Sequence, residues 1–394
     1  MLPVLVLVLS VSGAVVGDDW PGFGGPAHDG VSRETGWSAE GKPLWSARIG
    51  IGYSSFAVQG GRVYTLGYDR LRETDLVYCF DAETGKELWT HACAVEVPNH
   101  DERESYLGTL TTPAVEGEFV YCSEREGTLR CLKSADGALV WERKAEKELK
   151  LDRPTYGFAA SPIVLGEQLI LNYGRVVAFD KKSGATVWRS KKNYGDAYST
   201  PVDFTLDEKR WLAVFAGDGL AILSAEDGRE RGFYAWKTRD DVNAMTPVVL
   251  GSRVFVSSGY DHGCALLDVA GPRPKLLWES KVMRNQDSGA RAWQEHLFGF
   301  DAGVLTCIDL EGKVCWNQRG INGAALAIAD GRLIFVEAEG ALVVAEASHE
   351  AYRELARAHV LEPGGFKILP VLSDGRIFVR NLSGQVVARD HRGR

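Results

Sequence analysis

The 394-residue chain holds many side chains that can do chemistry, but few are spaced for it. The eight histidines (His28, His91, His100, His262, His296, His349, His359 and His391) show neither an HxH nor an HExxH spacing, so no preformed zinc site is signalled. Seven cysteines leave at least one unpaired and contain no CxxC, which removes the usual redox and zinc motifs. Cys122 and Cys131, and likewise Cys307 and Cys315, are spaced to face each other across a hairpin and could join in an oxidising compartment. Buried free thiols filling strand positions are the plainer reading. Residues 99–104 are dense in oxygen ligands but lack the alternating spacing of a calcium loop, so they read as a solvated surface loop. No nucleophile elbow, phosphate loop or dinucleotide fingerprint is present, and the glycine-rich residues 22–25 and 50–52 read as turns. The sequence therefore signals no catalytic residue and no metal ligand.

A second group shares a position and no motif: Tyr53, Thr111, Tyr156, Tyr198, Asn243, Asn285 and Asp287 each stand just before a short β-prone run. If those runs line one axis, the group rings the mouth of a channel, where tyrosine and asparagine can stack on and hydrogen-bond a flat or sugar-like ligand. The plainer alternative is that they plug and solvate the mouth, as the architecture requires in any case.

The elements that would position them come from a repeat. A strand ends in an acidic or small turn with Gly, and Trp follows a few residues later: Asp81, Thr84, Gly85, Trp89; Asp136, Gly137, Trp141; Asp180, Gly184, Trp188. Weaker copies carry Gly228 with Trp236, then Trp278, then Gly312 with Trp316, then Gly384 without Trp. The tryptophans recur ~40–50 residues apart, the period of a propeller blade. Trp89, Trp141, Trp188, Trp236, Trp278 and Trp316 are expected on outer strands, each filling the wedge against the next blade. A second phrase precedes the first in each unit, a small polar residue and often Pro before a β-branched run, as in Thr112-Pro113, Ser161-Pro162 and Thr200-Pro201. Pro cannot donate to a ladder, so it marks the entry of the innermost strand. Inner-strand starts near 54, 112, 161, 200, 246, 294, 325 and 370 give eight blades, or seven if the short unit around Trp293 to Trp316 is incomplete. Only residues 352–359 look helical or irregular. The unpartnered residues 42–48 have the outer-strand pattern that the last unit lacks. The expectation is an all-β, eight-bladed propeller of four-stranded antiparallel blades, closed by this N-terminal strand joining the last blade.

Bulk properties limit partners and location. A net charge of −8 without a long basic run argues against nucleic acid or an anionic membrane surface. Residues 1–17 form an apolar stretch with small residues at its end and read as a cleaved signal peptide, although an n-region without Lys or Arg keeps a retained anchor as the alternative. Residues 18–394 are then expected to be one propeller domain, periplasmic or secreted and monomeric, with no membrane span in the mature chain.

These residues resemble the PQQ-like propeller repeat proteins, whose repeat carries an AxDxxTGxxxW tryptophan-docking phrase. Asp81, Thr84, Gly85 and Trp89 match it with Cys79 in place of Ala, and Ala178, Asp180, Gly184 and Trp188 match it with Ser183 in place of Thr. Residues 19–32, 283–285 and 352–358 look like a secreted subgroup common in planctomycete-type bacteria, though Gln286 stands where that subgroup is expected to carry His. Two branches of the wider family set the functional alternatives. Quinoprotein alcohol dehydrogenases imply PQQ with calcium, a catalytic Asp and an adjacent cysteine pair, and this chain has no adjacent cysteines. Outer-membrane assembly propellers imply no cofactor and loops that bind protein. The second branch matches better, so the expected function is a non-catalytic binding or scaffolding propeller that engages an envelope protein or glycan through its top-face loops.

Overall fold

The computed structural model describes residues 17–94, 108–287, 289–365 and 367–393. The signal-peptide reading, apart from Gly17, and the 99–104 loop lie outside the described residues.

Eight sheets surround one axis. Blade 1 comprises Ala57–Gln59, Arg62–Asp69, Thr74–Asp81 and Glu87–Ala94, from axis to rim. Blades 2 to 6 repeat that meander from Ala114–Glu116, Ile163–Leu165, Val202–Leu206, Val248–Leu250 and Arg291–Trp293, and blade 7 from Gly323–Ala329. Blade 8 holds Val371–Ser373, Arg376–Arg380 and Gln385–Arg392, and its outermost strand is Trp37–Arg48, antiparallel to the C-terminal strand. The ring is eight-bladed and closed by the N-terminal strand, and the unit around Trp293 to Trp316 is a complete blade.

Alternation along the strands builds the core. Leu169 and Leu171 face blade 2, whereas Ile170 between them faces blade 4, because successive side chains leave opposite faces of a sheet. Repeated at every blade, this gives one buried apolar cluster at each of the eight seams. The small polar residue of the second phrase has its own work there. The amides of Ser55, Thr112 and Ser161 donate to the hydroxyls of Thr112, Ser161 and Thr200 at 3.0, 2.9 and 3.0 Å, tying the entry of each inner strand to the next blade.

The rim carries a second set of ties. The indole N–H of Trp89 donates to Ser134 O, that of Trp141 to Lys181 O, that of Trp278 to Leu310 O and that of Trp316 to Ser348 O, each an acceptor on the following blade. The turn glycines Gly137, Gly184 and Gly228 lie under the Trp89, Trp141 and Trp188 rings, where a Cβ would meet the indole at 2.4 to 2.8 Å. Trp236 stands elsewhere: it follows the outer strand Glu230–Ala235, is buried, and donates to Ser258 Oγ at 3.0 Å. The outer-strand position of blade 4 that pairs with Ile222 is Gly232, and Arg231 beside it reaches the Ala270 and Gly271 carbonyls of blade 5.

Two sequence expectations are corrected here. Residues 354–359 form the outer strand Glu354–His359 of blade 7 and are not helical. The inner strand of blade 6 is Arg291–Trp293, with Gln294 and Glu295 as its turn at φ 46° and 63°, so the inner strand precedes the Gln294 start read from the repeat. The plainer reading of Cys122 and Cys131 as buried thiols in strand positions is the one found, since they point to opposite faces of blade 2, into the seams with blades 1 and 3, and cannot join.

Residues 20–34 form a strap across the axis on the lower face, the face of the rim turns. Trp20 exchanges both backbone hydrogen bonds with Val58 of blade 1, and Pro21 O accepts from Val115 of blade 2. His28 Nδ1 meets Asp203 Oδ1 of blade 4 at 3.0 Å. Gly30, at φ +74°, lies on the buried Arg291 of blade 6, and Val31–Ser32 adds a parallel strand inside blade 7 at Ile328 and Ala329. Glu34, 1% exposed, accepts from the amides of Asp18, Asp374 and Gly375 and so anchors the strap to blade 8.

Candidate functional site

The segments that lead into the inner strands all reach the upper face, and there they surround a cavity of about 150 Å³ on the axis. Its lining includes Phe23, supplied by the strap from the lower face. One side is aromatic and aliphatic: Tyr53, Leu110, Tyr156, Tyr198 and Val242. The Tyr156 and Tyr198 rings lie 5.9 Å apart at 52°. The Tyr198 hydroxyl donates to Asp196 Oδ2 at 3.0 Å and accepts from the Tyr156 amide at 3.5 Å, which fixes the pair, and burial pushes its ionisation upward. The other side is polar. Gln286 Nε2 donates to the Tyr260 hydroxyl at 2.9 Å, and Lys367 pairs with Asp287 across the mouth. A second chamber of about 330 Å³ shares those four residues and adds Arg284, held by Asp301 at 2.7 Å and Asp261 at 2.8 Å.

Of the seven residues the sequence placed at the mouth, Tyr53, Tyr156, Tyr198 and Asp287 come together around this cavity. Asn285 is buried and lines the second chamber, its backbone N–H donating to Ser257 Oγ at 2.8 Å and its Nδ2 to Phe300 O at 3.0 Å. Thr111 is buried and donates to Ser123 O. Asn243 is buried too, donating to Ala216 O at 2.9 Å and Trp236 O at 3.1 Å and accepting from Ser258 Oγ at 2.6 Å. Thr111 thus bonds within blade 2, whereas Asn243 and Asn285 donate to groups of adjacent blades, as buried polar groups do. Among the other lining residues Phe23, Tyr260 and Lys367 carried no sequence signal, and Gln286 carried one only as the residue standing where the similar subgroup is expected to have His.

The lining does not suit a carboxylate-bearing quinone held over calcium. Among the described lining residues Asp287 is the one carboxylate and Lys367 the one cation, and they neutralise each other. Among the described residues no group of three or more His, Cys, Asp or Glu side chains is placed to hold a metal ion. The thiols lie away from the mouth, in the seams: Cys79, Cys93, Cys122, Cys131, Cys264 and Cys307 are buried, and Cys315 is half-buried. Burial pushes Cys79 up to about 11 and Cys93, Cys131 and Cys264 up to about 12, so they are poor nucleophiles.

Ring, closing strand and axial funnel define an eight-bladed propeller of the PQQ-like class. A family model described as outer membrane protein assembly factor BamB matches residues 33–107 and 73–318, and the chain belongs to that family. Among curated relatives, the BamB protein of Yersinia pestis is 24% identical over 376 residues, covering 88% of each chain. The Escherichia coli K12 protein of the same name is 23% identical over 355 residues, covering 87% of each. Among solved structures, BamB from Moraxella catarrhalis superposes with a TM-score of 0.64 at 16% identity, covering 90% of this chain and 99% of that one. Quinohemoprotein alcohol dehydrogenase from Comamonas testosteroni superposes at 0.69 and 13% identity, covering 95% of this chain and 81% of its own. At such identities the superpositions show the fold alone. Among the described residues no helix is long and apolar enough to cross a membrane.

Proposed function

We propose that this chain is a non-catalytic binding or scaffolding propeller of the cell envelope, periplasmic in location, which engages a protein or glycan through its top-face loops. The observation that carries the reading is membership of the outer membrane assembly factor family across residues 33–318, joined to a funnel whose lining offers contact surface and no metal cage. The strap supports it physically. By closing the lower face it leaves the upper face as the entry to the axis, and the loops there are the ones freest to differ without disturbing a seam.

The rival is a quinone-dependent dehydrogenase, and a cofactor titration separates the two. Adding PQQ with calcium to the full chain is expected to leave the melting temperature unchanged and to give no dye-linked alcohol oxidation. A rise in melting temperature that saturates with PQQ, together with that oxidation, would overturn the reading.

A further inference from the structure

We propose that the axial funnel takes the terminal ring of a neutral envelope glycan, entering end-on from the upper face. The proposal rests on the binding-propeller reading and names the ligand class of its site.

Shape, charge and wall chemistry each narrow the ligand. Phe23 reaches the cavity from the strap on the lower face, and the cavity of about 150 Å³ is small, a shape that suits a chain end entering from above better than a threading polymer. Among the described residues the lining carries no net charge, because Lys367 and Asp287 pair with each other. An anion or a cation entering there would have to break that pair, whereas a neutral ligand keeps it. The wall is divided by chemistry. Tyr53, Tyr156 and Tyr198 line one side, and the Tyr260–Gln286 bond and the Asp287–Lys367 pair line the other with polar groups. A purely apolar ligand, such as a hydrocarbon side chain, would strip water from that polar half and return no hydrogen bond. A pyranose has the matching division, an axial C–H face that packs on aromatic rings and an equatorial rim of hydroxyls that both donate and accept. The polar groups are already oriented by their mutual bonds, so little ordering is left to binding.

The test is saturation-transfer NMR on the full chain with chitotriose, maltotriose and cellotriose at millimolar concentration. At least one trisaccharide is expected to receive saturation mainly at one terminal ring. Tyr156→Ala should weaken that binding at least tenfold and Tyr156→Phe should retain it, since the ring face is the stacking element. Tyr53→Ala repeats the measurement should Tyr156→Ala disturb folding, which circular dichroism reads directly. Absence of transfer from all three sugars, transfer spread evenly over the three rings, or full binding by both alanine variants would overturn the proposal. If sugars fail while crosslinks from the upper face still join a discrete envelope protein, the glycan proposal falls and the binding-propeller reading stands.

Discussion

The indole of Trp45 lies on Gly85, and its Nε1 donates to Ala82 O at 3.0 Å. Trp45 belongs to the N-terminal strand and Gly85 to the first rim turn, so the seam that closes the ring repeats the contact that Trp89 makes with Ser134 and Gly137 one blade later. The last unit lacks a Trp of its own because the start of the chain supplies it.

Removing that contact tests the closure. Trp45→Ala is expected to destabilise the protein by ~1–3 kcal/mol, less than the deletion of a fully buried aromatic because the ring is half-buried. Gly85→Ala should also destabilise, because φ there is +70° and an added Cβ would come 2.5 Å from the Trp45 ring. Denaturant unfolding measures both. Wild-type midpoints would show that the seam is held by other means.

The strap has its own lever in Glu34, whose carboxylate satisfies the amides of Asp18, Asp374 and Gly375 while almost fully buried. Glu34→Ala orphans these donors at roughly 1–3 kcal/mol each where water cannot replace the acceptor. The expected outcome is a lower melting temperature with faster protease cleavage before Trp37. An unchanged cleavage rate would mean that the strap is held without Glu34.

Asp75 sets a pH dependence. It is 1% exposed, both its oxygens lack a hydrogen-bond partner, and burial pushes its carboxyl up to about 7, against a smaller lowering by Arg125 and Arg130 and a raising by Glu126. The fold favours the protonated acid, so this group's contribution to stability is full below about pH 4 and is lost as pH rises through about 7. The loss is on the order of 2–4 kcal/mol from the shift. Asp75→Asn, which imitates the neutral acid, should be more stable than wild type at pH 8 and nearly equal to it at pH 4. Denaturation midpoints at the two pH values that move in parallel for both proteins would contradict this.

Thiol labelling reads the burial of the seams. In the folded protein an alkylating reagent is expected to modify Cys315 alone, and all seven thiols only after denaturation, as counted by intact mass. Rapid labelling of Cys122 or Cys131 would mean that blade 2 is not packed on both faces.

The blades were legible because their signals are local and repeated. A glycine at a rim turn and the Trp after it stand within one hairpin, and the hydroxyl before each inner strand serves the same amide at successive blades. What stayed hidden depends on partners distant in sequence. Trp236 fell on the repeat spacing by coincidence, its true partner being Ser258, while Gly232 and Arg231 occupy the rim. The strap gave no periodic signal, since one short segment meets the inner strands of blades far apart in the chain, and with it Phe23 in the funnel lining was missed. Asn243 and Asn285 are polar residues before inner strands like Tyr156, and only the fold decides that they turn inward to carbonyls.

The central claim is that the upper face binds an envelope component. A photo-crosslinking residue placed at Tyr260, 45% exposed beside the funnel, and another at Leu71, 97% exposed on the top hairpin of blade 1 across the ring, compare that face with a control at Lys86 on the lower rim. In the native host the Tyr260 position is predicted to give a discrete adduct with an envelope protein or glycan and the Lys86 position none. Equal adducts from both faces, or none from Tyr260, would contradict the account.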